Sequence, residues 1–233
     1  MTTALPREDA MYRRTAAAAV LVALFSLGSV TSFTAHDSPA EVAAALQTKY
    51  DRVRDFTADF TQLHVSILKK KGSQHTGKLQ VKKPGKMRWD YSAPQKQLFV
   101  SDGAQIYLWV PADNQVTVSP VPQQDAATSA TMFLVGRGNL VRDFVVTFTQ
   151  NAPQNAYGLR LQPKIPERDY DWLELVVDRT SLQIRQLTAA NTQGGQDTFT
   201  FKNFKENVGL SDKTFEFKIP RGAEVIRAGA SSK

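Results

Sequence analysis

Four carboxylates crowd one short stretch of this 233-residue chain: Glu167, Asp169, Asp171 and Glu174. Two such acids at close range can act as general acid and general base when their surroundings hold them in different protonation states. Here they alternate with Arg168, Tyr170 and Trp172 after Pro166, and charge interleaved in that way reads as a solvated loop face rather than a reaction centre. His64 and His75 fall on neighbouring predicted strands and could meet across a hairpin. No third ligand accompanies them, so they read as surface histidines and no metal is expected. The chain has no cysteine, which excludes disulfide scaffolds, thiol nucleophiles, Cys-ligated zinc and iron–sulfur centres together. No G-x-S-x-G elbow, Walker A loop or G-x-G-x-x-G follows any strand pattern. The expectation is a chain that is not an enzyme and carries no cofactor.

The other chemistry on offer is apolar. Met87, Trp89 and Tyr91 share one face of a predicted strand whose other face carries Arg88 and Asp90. The stretch from Ile106 to Val110, which includes Leu108, is apolar on both faces, so one face needs cover from helices and the other a second layer or a ligand. Met132, Phe133, Leu134 and Val135 form an apolar segment able to supply that cover. Two readings stand at this point: Met87, Trp89, Leu108 and Phe133 fill a packed core, or they line a cavity for alkyl chains, with methionine as an adaptable wall.

The elements that must position these residues follow from pattern. Arg13 and Arg14 precede an apolar run from Ala16 to Leu27, followed by small residues through Ser32. This is a secretory signal peptide over residues 1–32, with cleavage after Ser32 or Ala35 and Met11 as an alternative start. The run is too short for a span, which takes about 20 apolar residues. The net charge is +7, and removing Arg7, Arg13, Arg14, Glu8 and Asp9 leaves 26 basic against 20 acidic side chains, or +6. An exported chain does not meet nucleic acid, so this balance reads as attraction to anionic headgroups or to an acidic partner.

Ser38-Pro39-Ala40-Glu41 predicts a capped helix with Val42, Leu46, Tyr50 and Val53 on one stripe. Period-two alternation then predicts about eleven strands, from Phe56 to Phe204, with Lys69-Lys70-Lys71-Gly72 as a hairpin turn and Phe215, Phe217 and Ile219 as a final edge strand. Leu134 and Leu140-Val141 belong to one or two short helices interrupted by Gly136 and Gly138. So long a meander must curl. The expected fold is mainly β: a single strongly curved antiparallel sheet, an unclosed half-barrel covered by two or three helices. Residues 36–227 form one domain and 228–233 a frayed tail.

The stretch from Gly77 to Tyr91 (GKLQVKKPGKMRWDY), then Pro94, Val100-Ser101-Asp102-Gly103 and Asn114 to Val118, resembles the periplasmic outer-membrane lipoprotein carrier family, LolA. Phe60-Thr61-Gln62 and the ending Phe215-Glu216-Phe217 with Pro220-Arg221-Gly222 fit as well. The resemblance implies a hydrophobic cavity under a helical lid. Its partners would be triacylated lipoproteins, an inner-membrane ABC-type exporter that supplies them and an outer-membrane receptor that takes them, and the chain is expected to act as a monomer. It also implies that Met87 and Trp89 face the cavity, where Tyr91 on the same strand face joins them as a candidate, that Met132, Phe133 and Leu134 belong to the lid, and that a basic residue before the Pro-Gly turn locks the lid. Here that residue is Lys83 rather than the commoner arginine, which leaves Arg88 as an alternative lock. The competing classes are a carrier of other lipids, a lipid-sensing regulatory half-barrel, and a lipid enzyme using Asp169 or Asp171.

Overall fold

The structure is a computed structural model and describes residues 38–66, 69–121, 134, 136, 138–167 and 170–227. All of them fall in one unit spanning residues 35–233. The first element is helix α1 (Pro39–Arg52). Its start is the predicted capping box: the Ser38 hydroxyl accepts from the Glu41 N–H at 3.2 Å, and the Ser38 N–H donates to Glu41 Oε2 at 3.0 Å. Val42, Ala43, Leu46 and Tyr50 are buried along one stripe.

Among the described residues, twelve strands make one sheet. The first six are β1 (Asp55–Ser66), β2 (Lys69–Lys82), β3 (Lys86–Ala93), β4 (Gln97–Asp102), β5 (Gln105–Val110) and β6 (Gln115–Pro120). A one-turn helix, α2 (Leu140–Asp143), then leads into β7 (Phe144–Phe148), β8 (Ala156–Pro163), β9 (Trp172–Asp178), β10 (Ile184–Ala190) and β11 (Gln196–Glu206), and β12 (Glu224–Arg227) is the last strand. The order across the sheet is β12-β6-β5-β4-β3-β2-β1-β11-β10-β9-β8-β7, so β1 paired with β11 joins two meanders. The outermost strands, β12 and β7, do not pair with each other, and the sheet is unclosed. Fold class is as the sequence predicts.

Curvature comes with breaks in register at Thr57/Asp59, Thr76/Gly77 and Ile184/Gln186. Gly77 shows why one of them needs glycine. A Cβ there would sit 2.1 Å from the Asp90 carbonyl oxygen and 2.8 Å from the Phe60 ring, so the aromatic occupies the space a side chain would take.

Three sequence expectations are corrected. Lys69 pairs with Ser66, so the lysine run belongs to β2 rather than to the turn, which falls on residues 67–68 outside the described set. Leu182, expected in a strand, lies in the β9–β10 turn at φ +52, and β10 begins at Ile184. Phe215 and Phe217 are not a strand either: Asp212–Phe215 is a 3-10 turn, and β12 follows it and pairs with β6 in parallel, where the other ladders of the described sheet are antiparallel.

The last of these answers the two-faced apolarity of β5. The segment 207–223 crosses the outer face of β3 and β4, with Phe215 1% exposed and the Phe217 ring 5.2 Å from that of Tyr107. Lys82 and Lys86 clamp it through Asp212 at 2.8 and 3.0 Å, and Lys82 also donates to the Leu210 carbonyl. The strap is the second layer. Phe215→Ala should therefore cost about 3 kcal/mol or more, the usual range for emptying a buried aromatic site, measured by urea unfolding; a loss below about 1 kcal/mol would show the strap to be mere decoration.

Candidate functional site: the inner wall and its cover

Side chains alternate across each strand, and the register decides which of them share the inner face. Phe60 lies opposite Gly77, Leu79 opposite Trp89, Trp89 opposite Phe99, and Phe99 opposite Leu108, all on the inner side. On the other flank Phe60 pairs with Phe201, and Phe199, Leu187, Leu175 and Leu159 continue the row. Trp89 is the centre of the wall. Its ring stands edge-on to Phe60 at 4.8 Å and lies 5.2 Å from Phe199, while its indole N–H points at the Met87 sulfur 3.3 Å away. Tyr91 extends the same face, edge-on to Phe60 at 4.9 Å, and Leu108 lies at the half-buried margin.

The cover is α1 with the segment before α2. Leu134 is 1% exposed and belongs to the same buried cluster as Met87 and Trp89. Met132 and Phe133 lie outside the described residues. The inner-face residues are thus packed together beneath their cover, as the core reading of the sequence has them.

Lys83 holds this corner. Its ammonium donates to the Tyr50 carbonyl near the C-terminal end of α1, where the helix dipole favours a cation, and stands 4.9 Å above the Tyr50 ring. Its stem passes Gly136 so closely that a Cβ there would lie 2.9 Å from Lys83 Cδ. One lysine therefore touches both α1 and the covering segment. Burial holds the Lys83 ammonium below its ordinary value, against the opposing pull of Asp51 and Glu206. Burial, helped by the Glu206 charge, likewise pushes the Tyr50 hydroxyl up. Lys49 pairs with Glu206 at 2.6 Å beside it. The Leu140 N–H donates to Gln47 Oε1 at 2.9 Å, tying α2 to α1.

The model of the family described as outer membrane lipoprotein carrier protein LolA matches residues 51–218. The chain belongs to the LolA family. An outer-membrane lipoprotein carrier protein of Actinobacillus pleuropneumoniae serotype 7 is 30% identical over 211 residues, covering 90% of this chain and 94% of that one. One from Pseudomonas fluorescens is 29% identical over 199 residues, covering 85% and 94%. Among solved structures, an uncharacterized conserved protein from Thermus thermophilus superposes with a TM-score of 0.51 at 13% identity over 81% of this chain and 99% of its own, a likeness of fold alone. The LolA family is one of carriers, not of enzymes. Among the described residues, no helix is long and apolar enough to cross a membrane.

The other predicted residues separate. Arg88 is not a lock: it sits on the outer face, between wall positions Met87 and Trp89, and pairs with Asp90 at 2.8 Å. Two of the four carboxylates have partners of their own. Glu174 pairs with Arg160 at 3.3 Å, the Asp171 N–H closes onto the Ala190 carbonyl, and Asp169 is outside the described residues. His64 bonds Asp197 while His75 lies opposite Gln62 with its ring 6.0 Å from Tyr91, so the histidines do not form a pair. Sequence reasoning missed Phe199 and Phe201 on the inner face and the Tyr50 carbonyl as the acceptor of Lys83. Alternation was visible in the phenylalanines, but which face it served was not.

The lowered Lys83 value makes its contact with the end of α1 depend on pH. The shut form binds fewer protons at Lys83 than an open form with a solvated lysine, so opening takes up a proton. Rising pH should therefore favour the shut form from the lowered value up to the ordinary 10.5. Acrylamide quenching of Trp89, with Trp109 and Trp172 replaced by Phe, should fall across that window, and in Lys83→Met it should be higher at neutral pH and lack the slope.

Proposed function

We propose that this protein is a periplasmic carrier that takes the acyl chains of lipoproteins onto the wall around Trp89 and delivers them to the outer membrane. The observation that carries the reading is the wall itself: a continuous inner face of aromatic and aliphatic side chains, shut under α1 and Leu134, with Lys83 bonded to the end of that helix. Each methylene moved from water to such a surface is worth about 0.8 kcal/mol, so a long acyl chain does not cross an aqueous compartment unshielded. Membership of the LolA family, whose relatives are named as outer-membrane lipoprotein carriers, supports the cargo. Residues 1–32 act as the export signal in this reading.

Cargo enters from an inner-membrane ABC-type exporter, which supplies the work of lifting acyl chains out of a bilayer. Once Lys83 leaves Tyr50, α1 and the segment around Leu134 swing from the wall and the chains take their place against Met87, Trp89, Tyr91 and Leu108. Chains for side chains is a near-even exchange of apolar contacts, which keeps release to a receptor of higher affinity feasible.

Purified mature protein added to spheroplasts should bring newly made triacylated lipoproteins into the soluble fraction in a one-to-one complex. Leu134→Glu should abolish that complex, because it puts a carboxylate against the chains. Spheroplasts that yield cargo to a known carrier but none to this protein would refute the reading, as would unchanged capture by a folded Leu134→Glu variant.

A further inference from the structure

The inner face is not apolar throughout. Where β1, β2, β3 and β11 meet, at the opposite end of the strands from Lys83, four polar side chains occupy positions on the same face as Phe60 and Phe199. The Tyr91 hydroxyl donates to Gln62 Oε1 at 3.0 Å, the Gln62 amide donates to Asp197 Oδ1 at 2.8 Å, and His64 Nδ1 meets the same oxygen at 3.0 Å. Tyr91 joins the two regions: its ring packs on Phe60 while its hydroxyl is pushed up to about 12, first by burial and then by the Asp197 charge. His64 and Asp197 remain open to solvent, at 41% and 29% side-chain exposure.

We propose that Gln62, His64 and Asp197, oriented by Tyr91, form a seat for the polar head of the amphiphile whose alkyl chains lie on the Trp89 wall. The inference rests on the carrier reading and deepens it. Apolar wall gives affinity without direction, since any chain slides along it, and a few fixed polar groups at one end set orientation. The seat is rich in acceptors: a carboxylate, an amide oxygen and an imidazole nitrogen. Asp197 is the charged member of the network, so it fits a head that donates hydrogen bonds and carries no negative charge, such as an amide N–H or a hydroxyl. An N-acylated, glyceryl-linked cysteine at the end of a peptide is a head of that class.

Two probes separate head from chains: a triacylated lipopeptide with an S-glyceryl cysteine, and the neutral apolar dye N-phenylnaphthylamine. Gln62→Met and Asp197→Leu keep side-chain size while removing the polar contacts. Each should weaken lipopeptide binding by about tenfold, the usual scale for losing a hydrogen bond to a charged or fixed group, and leave the dye within about twofold. Lipopeptide affinity within twofold of the parent in the folded double variant would overturn the seat. Equal loss of both probes would also overturn it, by showing that these residues only support the wall. A parent protein that binds the dye but no lipopeptide would overturn the carrier reading itself. Should the double variant not fold, His64→Leu, at the most exposed position, gives the same comparison.

Discussion

The structure depends on keeping one apolar face out of water without sealing it. A sheet of twelve strands that turns Phe60, Trp89, Phe199, Leu175 and their neighbours inward gains about 1.5–3 kcal/mol for each large side chain it buries, and would forfeit that gain if the face stood open. A closed barrel would solve the problem permanently and admit nothing. An unclosed sheet needs a cover over that face, and α1 is suited to it: its stripe of Val42, Leu46 and Tyr50 is apolar enough to serve as core.

Among the ties of that helix Lys83 has a particular place. An arginine there would present a planar fork of donors, while lysine offers a compact ammonium on a flexible stem. The stem lies against Gly136, the ammonium on the last turn of α1, and the partial desolvation of that charge weakens the very contact that it makes. The anionic neighbours Asp51 and Glu206 offset part of that weakening, because they favour the charged form in place.

The outer side has a different logic. There the strap of Phe215 and Phe217, pinned by Lys82 and Lys86 through Asp212, covers apolar strand surface for good, and β12 pairs along the edge of β6. Long uncovered edges invite pairing with other chains, and on this side the protein's own C-terminal segment fills the edge. Inner and outer faces of the same strands thus carry similar residues under different covers, the helix α1 on one side and the C-terminal strap on the other.

Much of this was legible in the sequence. The capping box at Ser38 and Glu41, the alternation along β1 and β3, the Asp102-Gly103 turn and the half-barrel class follow from local rules, since helix caps, strand period and turn residues are short-range properties. The central block from Gly77 to Tyr91 carried the family. Long-range facts were not legible: that Phe215 belongs to an outer strap rather than a strand, that Arg88 faces away while Lys83 reaches the Tyr50 carbonyl, and that Gln62, Tyr91 and Asp197 meet at one end of the wall. Each depends on register between strands far apart in the chain, and a shift of one residue would send every side chain to the other face. The sequence by itself determined most of the strands and how apolar each is; the tertiary structure alone decided which face meets which, because only the closing of β1 onto β11 gives the sheet an inside.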